Sequence, residues 1–355
     1  MRRWLAALAF LVTACSHASG VPVAHQTASP STAQITTPSA NPTPSANPAP
    51  SASPIPDASP VPDLPLTTVG FSCRMPIYTQ HARIVDWFIS FPSAVVTIDP
   101  SGNNGRYYDL AFSRWLPVPR TAVAPDGAHY AGVEIGPSGD VLVHVVDVAS
   151  GQYHVFSESA AQFNGQPLVL DYSADGIYLV NAFEHLLAGL WLVNPTDGSI
   201  RQVSKDIYPV LSAGNGVFWS AVLNPADPHP VITGTSIGTL PNEIDRVDLR
   251  SGSKTVWLYE PGKGLNVIGL DSRGLPLIQE TGSWTADPNA RLILVAVPDS
   301  PTQIFKGVVA QEVGGGVTDA HGTWLSGQGG IYLLTNGGVL EKVSNQPSYP
   351  ANGCF

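Results

Sequence analysis

Ala124-Pro125-Asp126-Gly127 and, after one more strand, Val146-Asp147-Val148-Ala149-Ser150-Gly151 decide how this chain folds. The first stretch closes a tight turn between two strands, and the second runs an alternating strand into another turn. Glycine recurs in both because a tight hairpin needs positive φ, which costs other residues most. The first signature returns at Ala174-Asp175-Gly176, Gly214-Asn215-Gly216, Ser272-Arg273-Gly274 and Ala320-His321-Gly322. The second returns around Ile98-Asp99-Pro100-Ser101-Gly102, Val193-Asn194-Pro195-Thr196-Asp197-Gly198 and Val247-Asp248-Leu249-Arg250-Ser251-Gly252. Weaker copies close at Val297-Pro298-Asp299-Ser300 and Thr335-Asn336-Gly337-Gly338.

Interleaved signals at a period of roughly 40 to 58 residues suit a repeated four-stranded sheet. Arranged radially, such sheets form a β-propeller, which shields its strand edges. Six copies of the second signature predict an all-β, six-bladed propeller, with seven blades as the alternative. The predicted blades span 68–116, 117–160, 165–205, 208–260, 265–306 and 307–345. The residues quoted at the outset resemble those of bacterial WD40-like and TolB-like propellers. That resemblance covers the chain from about 68 onward and implies a fold, without an activity.

Sequence before the propeller has a different character. Arg2-Arg3, the apolar run Trp4 to Val12 and then Thr13-Ala14-Cys15 read as a secretory signal over 1–14. A Cys directly after Val-Thr-Ala resembles the bacterial lipoprotein signal, which implies that Cys15 is lipidated and becomes the new N-terminus. An ordinary signal peptide cut elsewhere is the alternative. Segment 15–66 is rich in Pro, Ser, Ala and Thr, as in Thr37-Pro38-Ser39-Ala40-Asn41-Pro42. Such a linker cannot bury enough surface to offset its ordering entropy and is expected to be disordered, either as a tether or as a plain spacer. The propeller domain is expected over 67–355, outside the cytoplasm and anchored to a membrane by lipid, on a cell surface or in a periplasm.

A propeller must join its first and last blades. Cys73 and Cys354 stand near the two ends of the domain and, beside Cys15, complete the cysteine set. In an oxidising compartment they are expected to pair; two free thiols are the alternative.

Composition narrows the function classes. The charge is −10, with 17 basic residues in no cluster, which argues against nucleic acid and anionic lipid surfaces. Gly 34 and Pro 33 disfavour long helices. No zinc or calcium motif occurs, and no cofactor or metal is expected. Gly234-Thr235-Ser236-Ile237-Gly238 has the spacing of a nucleophile elbow, but Pro241 follows where that motif needs a helix, so a loop is expected. The recurrent Asp126, Asp147, Asp175 and Asp248 read as turn formers. Trp87, Trp191, Trp219 and Trp324 read as packing between sheets.

Loop length is the asymmetry with functional content. Asn181 to Gly189, Leu223 to Glu243 and Glu280 to Arg291 are long in three successive blades. They carry the candidate ligand-binding residues Glu184, His185, Asp227, His229, Trp284 and Asp287. The resulting expectation is a binding or scaffold module whose partner is an envelope protein or a glycan. Insertions without a ligand are the bland alternative. The rival is an extracytoplasmic lyase, cyclotransferase or hydrolase, whose site would converge from distant blades in the central funnel.

Overall fold

The computed structural model describes residues 64–78, 86–102, 105–163, 165–181, 188–207, 212–233, 238–283 and 287–355. The chain divides into Met1–Ala58 and Ser59–Phe355, and every described residue belongs to the second unit. The expected signal, Cys15 and most of the linker therefore lie outside the described residues, as do Glu184, His185, Trp284 and the Gly234–Ile237 stretch.

Among the described residues, six antiparallel meander sheets of three or four strands follow one another along the chain, beside two two-stranded ribbons. The first holds Tyr349–Pro350, Cys73–Tyr78, Asp86–Phe91 and Val95–Asp99 in that order. The second holds His129–Ile135, Val141–Asp147 and Tyr153–Glu158. The third runs from Pro167–Ser173 through Gly176–Asn181 and Ala188–Val193 to Ile200–Ile207. Ser212–Gly214, Val217–Val222, Glu243–Asp248 and Lys254–Tyr259 make the fourth. The fifth spans Gly264–Leu270 to Ser300–Lys306, and the sixth Val313–Asp319 to Leu340–Ser344.

Alternation along each strand sends apolar residues to both faces, and each face packs on a neighbouring sheet. Val143 of the second sheet shares a core with Leu179 and Trp191 of the third. Tyr178 of the third packs with Phe218 and Val247 of the fourth. Trp219 of the fourth packs with Ile278 and Ile293 of the fifth, and Leu277 of the fifth with Leu325 of the sixth. Trp324 of the sixth meets Met75, Ile89 and Phe91 of the first. Trp191, Trp219 and Trp324 are buried, and Trp87 packs against the last of these cores. The series of seams returns to its start, which fits a β-propeller.

Between the first and second sheets the arrangement departs from the expected blades. Tyr107–Asp109 and Arg114–Leu116 form a separate hairpin, although 68–116 was expected to be one blade. One side of the hairpin packs Tyr108 and Trp115 on Phe88 and Ala351. Its other side packs Tyr107 and Leu116 on Val123 and Val148. The second sheet has three strands where 117–160 was expected to supply four. Pro117 and Pro119 occupy the missing strand and cannot donate to a ladder. A short 3-10 turn, Arg120–Ala122, stands there, and pairing is reduced to one bridge between Val123 and Tyr130.

Both ends of the described region are sewn in. Tyr349 and Pro350 pair with Tyr78 and Ile77, so the last strand becomes the first strand of the first sheet. Arg74 and Phe355 exchange backbone hydrogen bonds of 2.9 and 3.0 Å. Leu66 bridges Lys342 in the sixth sheet, and Thr67 N–H donates to the Lys342 carbonyl at 2.7 Å. Cys73 and Cys354 form a disulfide across a sequence separation of 281, with Cα atoms 5.5 Å apart.

Three of the four recurrent aspartates close their own turns, Asp126 by accepting from Ala128 N–H at 2.9 Å, whereas the Asp175 carboxylate is taken by Arg250 of the fourth sheet's outer turn. Oδ1 of Asp147 accepts from Ser150 N–H and Oγ–H at 2.7 and 2.6 Å, and Asp248 does the same with Ser251. Gly127 and Gly151 take φ of +72° and +71° in the two turn types.

Candidate functional site

In the third to sixth sheets, the turns joining first to second and third to fourth strands share one face. The connections from second to third strands share the other, where the long loops lie. On that loop face a cavity of about 560 Å³ opens at the mouth of the fourth, fifth and sixth sheets. Leu240 and Pro241 from the Leu223–Glu243 loop form one wall. Asn266 and Gln279 stand on paired strands of the fifth sheet, with Asn266 Nδ2 donating to Gln279 Oε1 at 3.1 Å. Thr281, Ser283, Gln311 and Gln328 complete the polar lining, and no side chain in the wall is ionisable. Amides and hydroxyls that both donate and accept suit a neutral polar ligand.

Two buried carboxylates hold the loops that border this cavity. Asp227 accepts from the amides of His229 and Gly262 at 2.8 and 2.9 Å and from Asn242 Nδ2 at 2.7 Å. Its pKa lies below the ordinary carboxylate value, first because of the Gly262 amide and then that of His229. Asp287 accepts from the amides of Gly282 and Asn289 at 2.6 and 2.8 Å, and from Thr281 Oγ–H at 3.2 Å. Burial opposes ionisation of Asp287 most, but these donors together hold its pKa low. Each bridges the ends of its own loop, while His229 is exposed.

Gln311 is a residue that the sequence did not flag. Its Oε1 accepts from Asp287 N–H at 2.8 Å, and its Nε2 donates to Thr281 Oγ1 at 2.7 Å and the Ser283 carbonyl at 3.1 Å. One amide thus ties the loop after Glu280 to the short helical turn Val309–Glu312 that leads into the sixth sheet. Behind the cavity, Glu280 is fully buried, paired with Arg291 and 3.7 Å from Lys263. These are the two residues that bound the long loop, and their pairing fixes its root. A lone Gln and an ion pair eleven positions apart carry no local motif.

On the turn face, a cavity of about 510 Å³ is lined by Tyr107, Arg120, Asp271 and Asp319, among others. Asp271 is held by Arg273 and by the amides of Arg273 and Leu275. Asp319 accepts from Trp324 Nε1–H and Cys354 N–H at 2.6 and 2.7 Å. Asp171, on the first strand of the third sheet, has its pKa pushed up to about 6 by burial, which outweighs the attraction of Arg120. Among the described residues no group of three His, Cys, Asp or Glu side chains could hold a metal ion. Among them, too, no helix is long and apolar enough to cross a membrane.

No protein-family model and no curated protein matches the chain. Solved structures similar in fold include TolB from Acinetobacter baumannii, at 13% identity and a TM-score of 0.39, covering 79% of this chain and 67% of that one. The extracellular domain of a one-component system from B. thetaiotaomicron has 13% identity and a TM-score of 0.35, covering 76% of this chain and 39% of that one. An acylaminoacyl peptidase from Pyrococcus horikoshii has 10% identity and a TM-score of 0.30, covering 61% and 44%. The chain thus spans less than half of the last two. These likenesses carry neither a ligand nor an activity to this chain; the sheet order itself defines its fold.

Proposed function

We propose that this chain is a lipid-anchored, extracytoplasmic six-bladed propeller that binds a partner through its loop face, with a neutral glycan as the ligand of the cavity there. The carrying observation is the uncharged lining of amides and hydroxyls between two loops pinned by Asp227 and Asp287. Sugar hydroxyls match such groups without bringing a charge out of water. The Cys15 signal supports the anchor, and the linker would hold the domain up to ~150 Å from the bilayer when fully extended. A protein partner on the same face is the other outcome.

A glycan array with the full chain tests this reading. The expected result is binding to a neutral glycan that falls at least tenfold in a double variant, Asn266→Ala with Gln328→Ala. Glycan binding that ignores both changes, or capture of envelope proteins alone, would contradict it. One observation favours the rival funnel enzyme: Asp171 sits near Arg120 with a pKa suited to proton transfer near neutrality. Turnover of a chromogenic ester, peptide or glycoside that is lost in Asp171→Asn would favour that rival.

A further inference from the structure

The turn face holds a second cavity, between the second and third sheets, with a volume of about 730 Å³. Its wall holds Asp126, His129, Asp175 and Arg201. Two of these are engaged within the protein. Asp175 is taken by Arg250 through contacts of 2.6 and 2.8 Å, and His129 faces Asp147 at 3.8 Å.

The other two remain open to a ligand. Arg201 makes no ion pair among the described residues. Asp126 uses Oδ1 to accept from Ala128 N–H at 2.9 Å, and its other oxygen has no partner among the described residues. Tyr172, 8% exposed, lines the same cavity, and its ring belongs to the core joining the two sheets. Its phenol lies within electrostatic reach of Asp126, and burial followed by that charge keeps it protonated, hence a donor.

An anion alone would meet Arg201 but face Asp126, and a cation alone would do the reverse. A molecule bearing both charges compensates both walls, so neither desolvated group is left unpaired. The volume admits a few residues of peptide, and Asn194, Thr196 and Ser199 supply uncharged partners along the wall.

We propose that this cleft binds the free form of a short peptide, with the terminal carboxylate on Arg201 and the terminal ammonium on Asp126 beside the Tyr172 hydroxyl. This site is independent of the loop-face reading.

Titration calorimetry on the full chain with trialanine, N-acetyltrialanine and trialanine amide tests the proposal. Trialanine should bind with a stoichiometry of one, and each blocked peptide should bind at least tenfold more weakly. Arg201→Gln and Asp126→Asn, both at exposed positions, should each weaken trialanine at least tenfold, and Tyr172→Phe about threefold. The loop-face variant Asn266→Ala should leave trialanine binding unchanged. Absence of saturable binding at millimolar trialanine, equal binding of free and blocked peptides, or unaltered affinity in Arg201→Gln would each overturn the proposal.

Discussion

Asp227 Oδ2 accepts from Asn242 Nδ2 at 2.7 Å, joining two residues at opposite ends of one long loop. A carboxylate that satisfies its own loop in this way acts as a clamp before any ligand arrives. Asp227→Ala should lower the melting temperature, and Asp227→Asn should lower it less, because the amide oxygen still accepts. The folded pKa is depressed, so the clamp contributes fully above the ordinary carboxylate pKa and is lost as pH falls through the depressed value. In thermal melts between pH 7 and pH 2 the parent should lose its advantage over Asp227→Asn at the acid end, while the gap between the Asn and Ala variants stays constant. A gap between the parent and Asp227→Asn that does not change across that range would contradict the clamp.

Asp171 works in the opposite direction. Its folded pKa is about 6 against an ordinary 3.8, so folding disfavours its charged form. Well below the ordinary value of 3.8 both states are protonated and no penalty exists. As pH rises from there through about 6, the unfolded state releases its proton first and stability falls, by up to about 3 kcal/mol. Asp171→Asn should therefore be more stable than the parent at pH 8, and this advantage should vanish well below the ordinary value of 3.8. Denaturant titrations across that range check this.

Gly330 carries the turn between two strands of the sixth sheet at φ +136°, and a Cβ there would lie 1.8 Å from the Ser344 carbonyl oxygen. Both the conformation and the backbone contact oppose a side chain, so Gly330→Ala should cost about 1–3 kcal/mol or more. Gly338 has φ +80° and open space around its Cβ, and its Ala variant should cost about 1 kcal/mol. Equal losses in equilibrium unfolding would contradict this assignment of the crowding.

How much of this was legible in the sequence follows from which interactions leave a local trace. Turns built on Gly127, Asp147 and Gly151 write their requirements into adjacent residues, so the repeat and the all-β class could be read directly. Pairing of Cys73 with Cys354 followed once the ends were taken as neighbours. The lost strand at Pro117 and Pro119 was also written locally, but the regular repeat masked it. The C-terminal strand Tyr349–Pro350 was not legible because its partner strand lies far away in sequence, and the hairpin Tyr107–Leu116 was not because its three-residue strands are too short to show a period. Polar side chains at the sites behave likewise. Asp227 and Asp287 were singled out from loop position, yet their hydrogen bonds to Gly262 and Gln311 cross between elements. Asn266, Gln279, Arg201 and Tyr172 sit in ordinary strand sequence and gain meaning only when sheets meet.

Closure of the ring is sewn by backbone and by one covalent bond, and the bond can be removed alone. Cys73→Ser and Cys354→Ser should each lower the melting temperature under non-reducing conditions. A loop of this length is worth up to about 5 kcal/mol in the chain-entropy description. The backbone pairing of Tyr349–Pro350 should keep both variants folded. Unchanged melting in both would remove the staple from the account.

The central claim is that tail and head of the domain meet in one sheet. Mass spectrometry of a non-reducing digest with trypsin and Asp-N, which cuts before Asp63 and so parts Cys73 from Cys15, tests it most directly. The account predicts that the peptide ending at Arg74, which carries Cys73, is covalently joined to the C-terminal peptide carrying Cys354. Free thiols at both positions in protein purified from an oxidising compartment, or a bond from either one to Cys15, would contradict it.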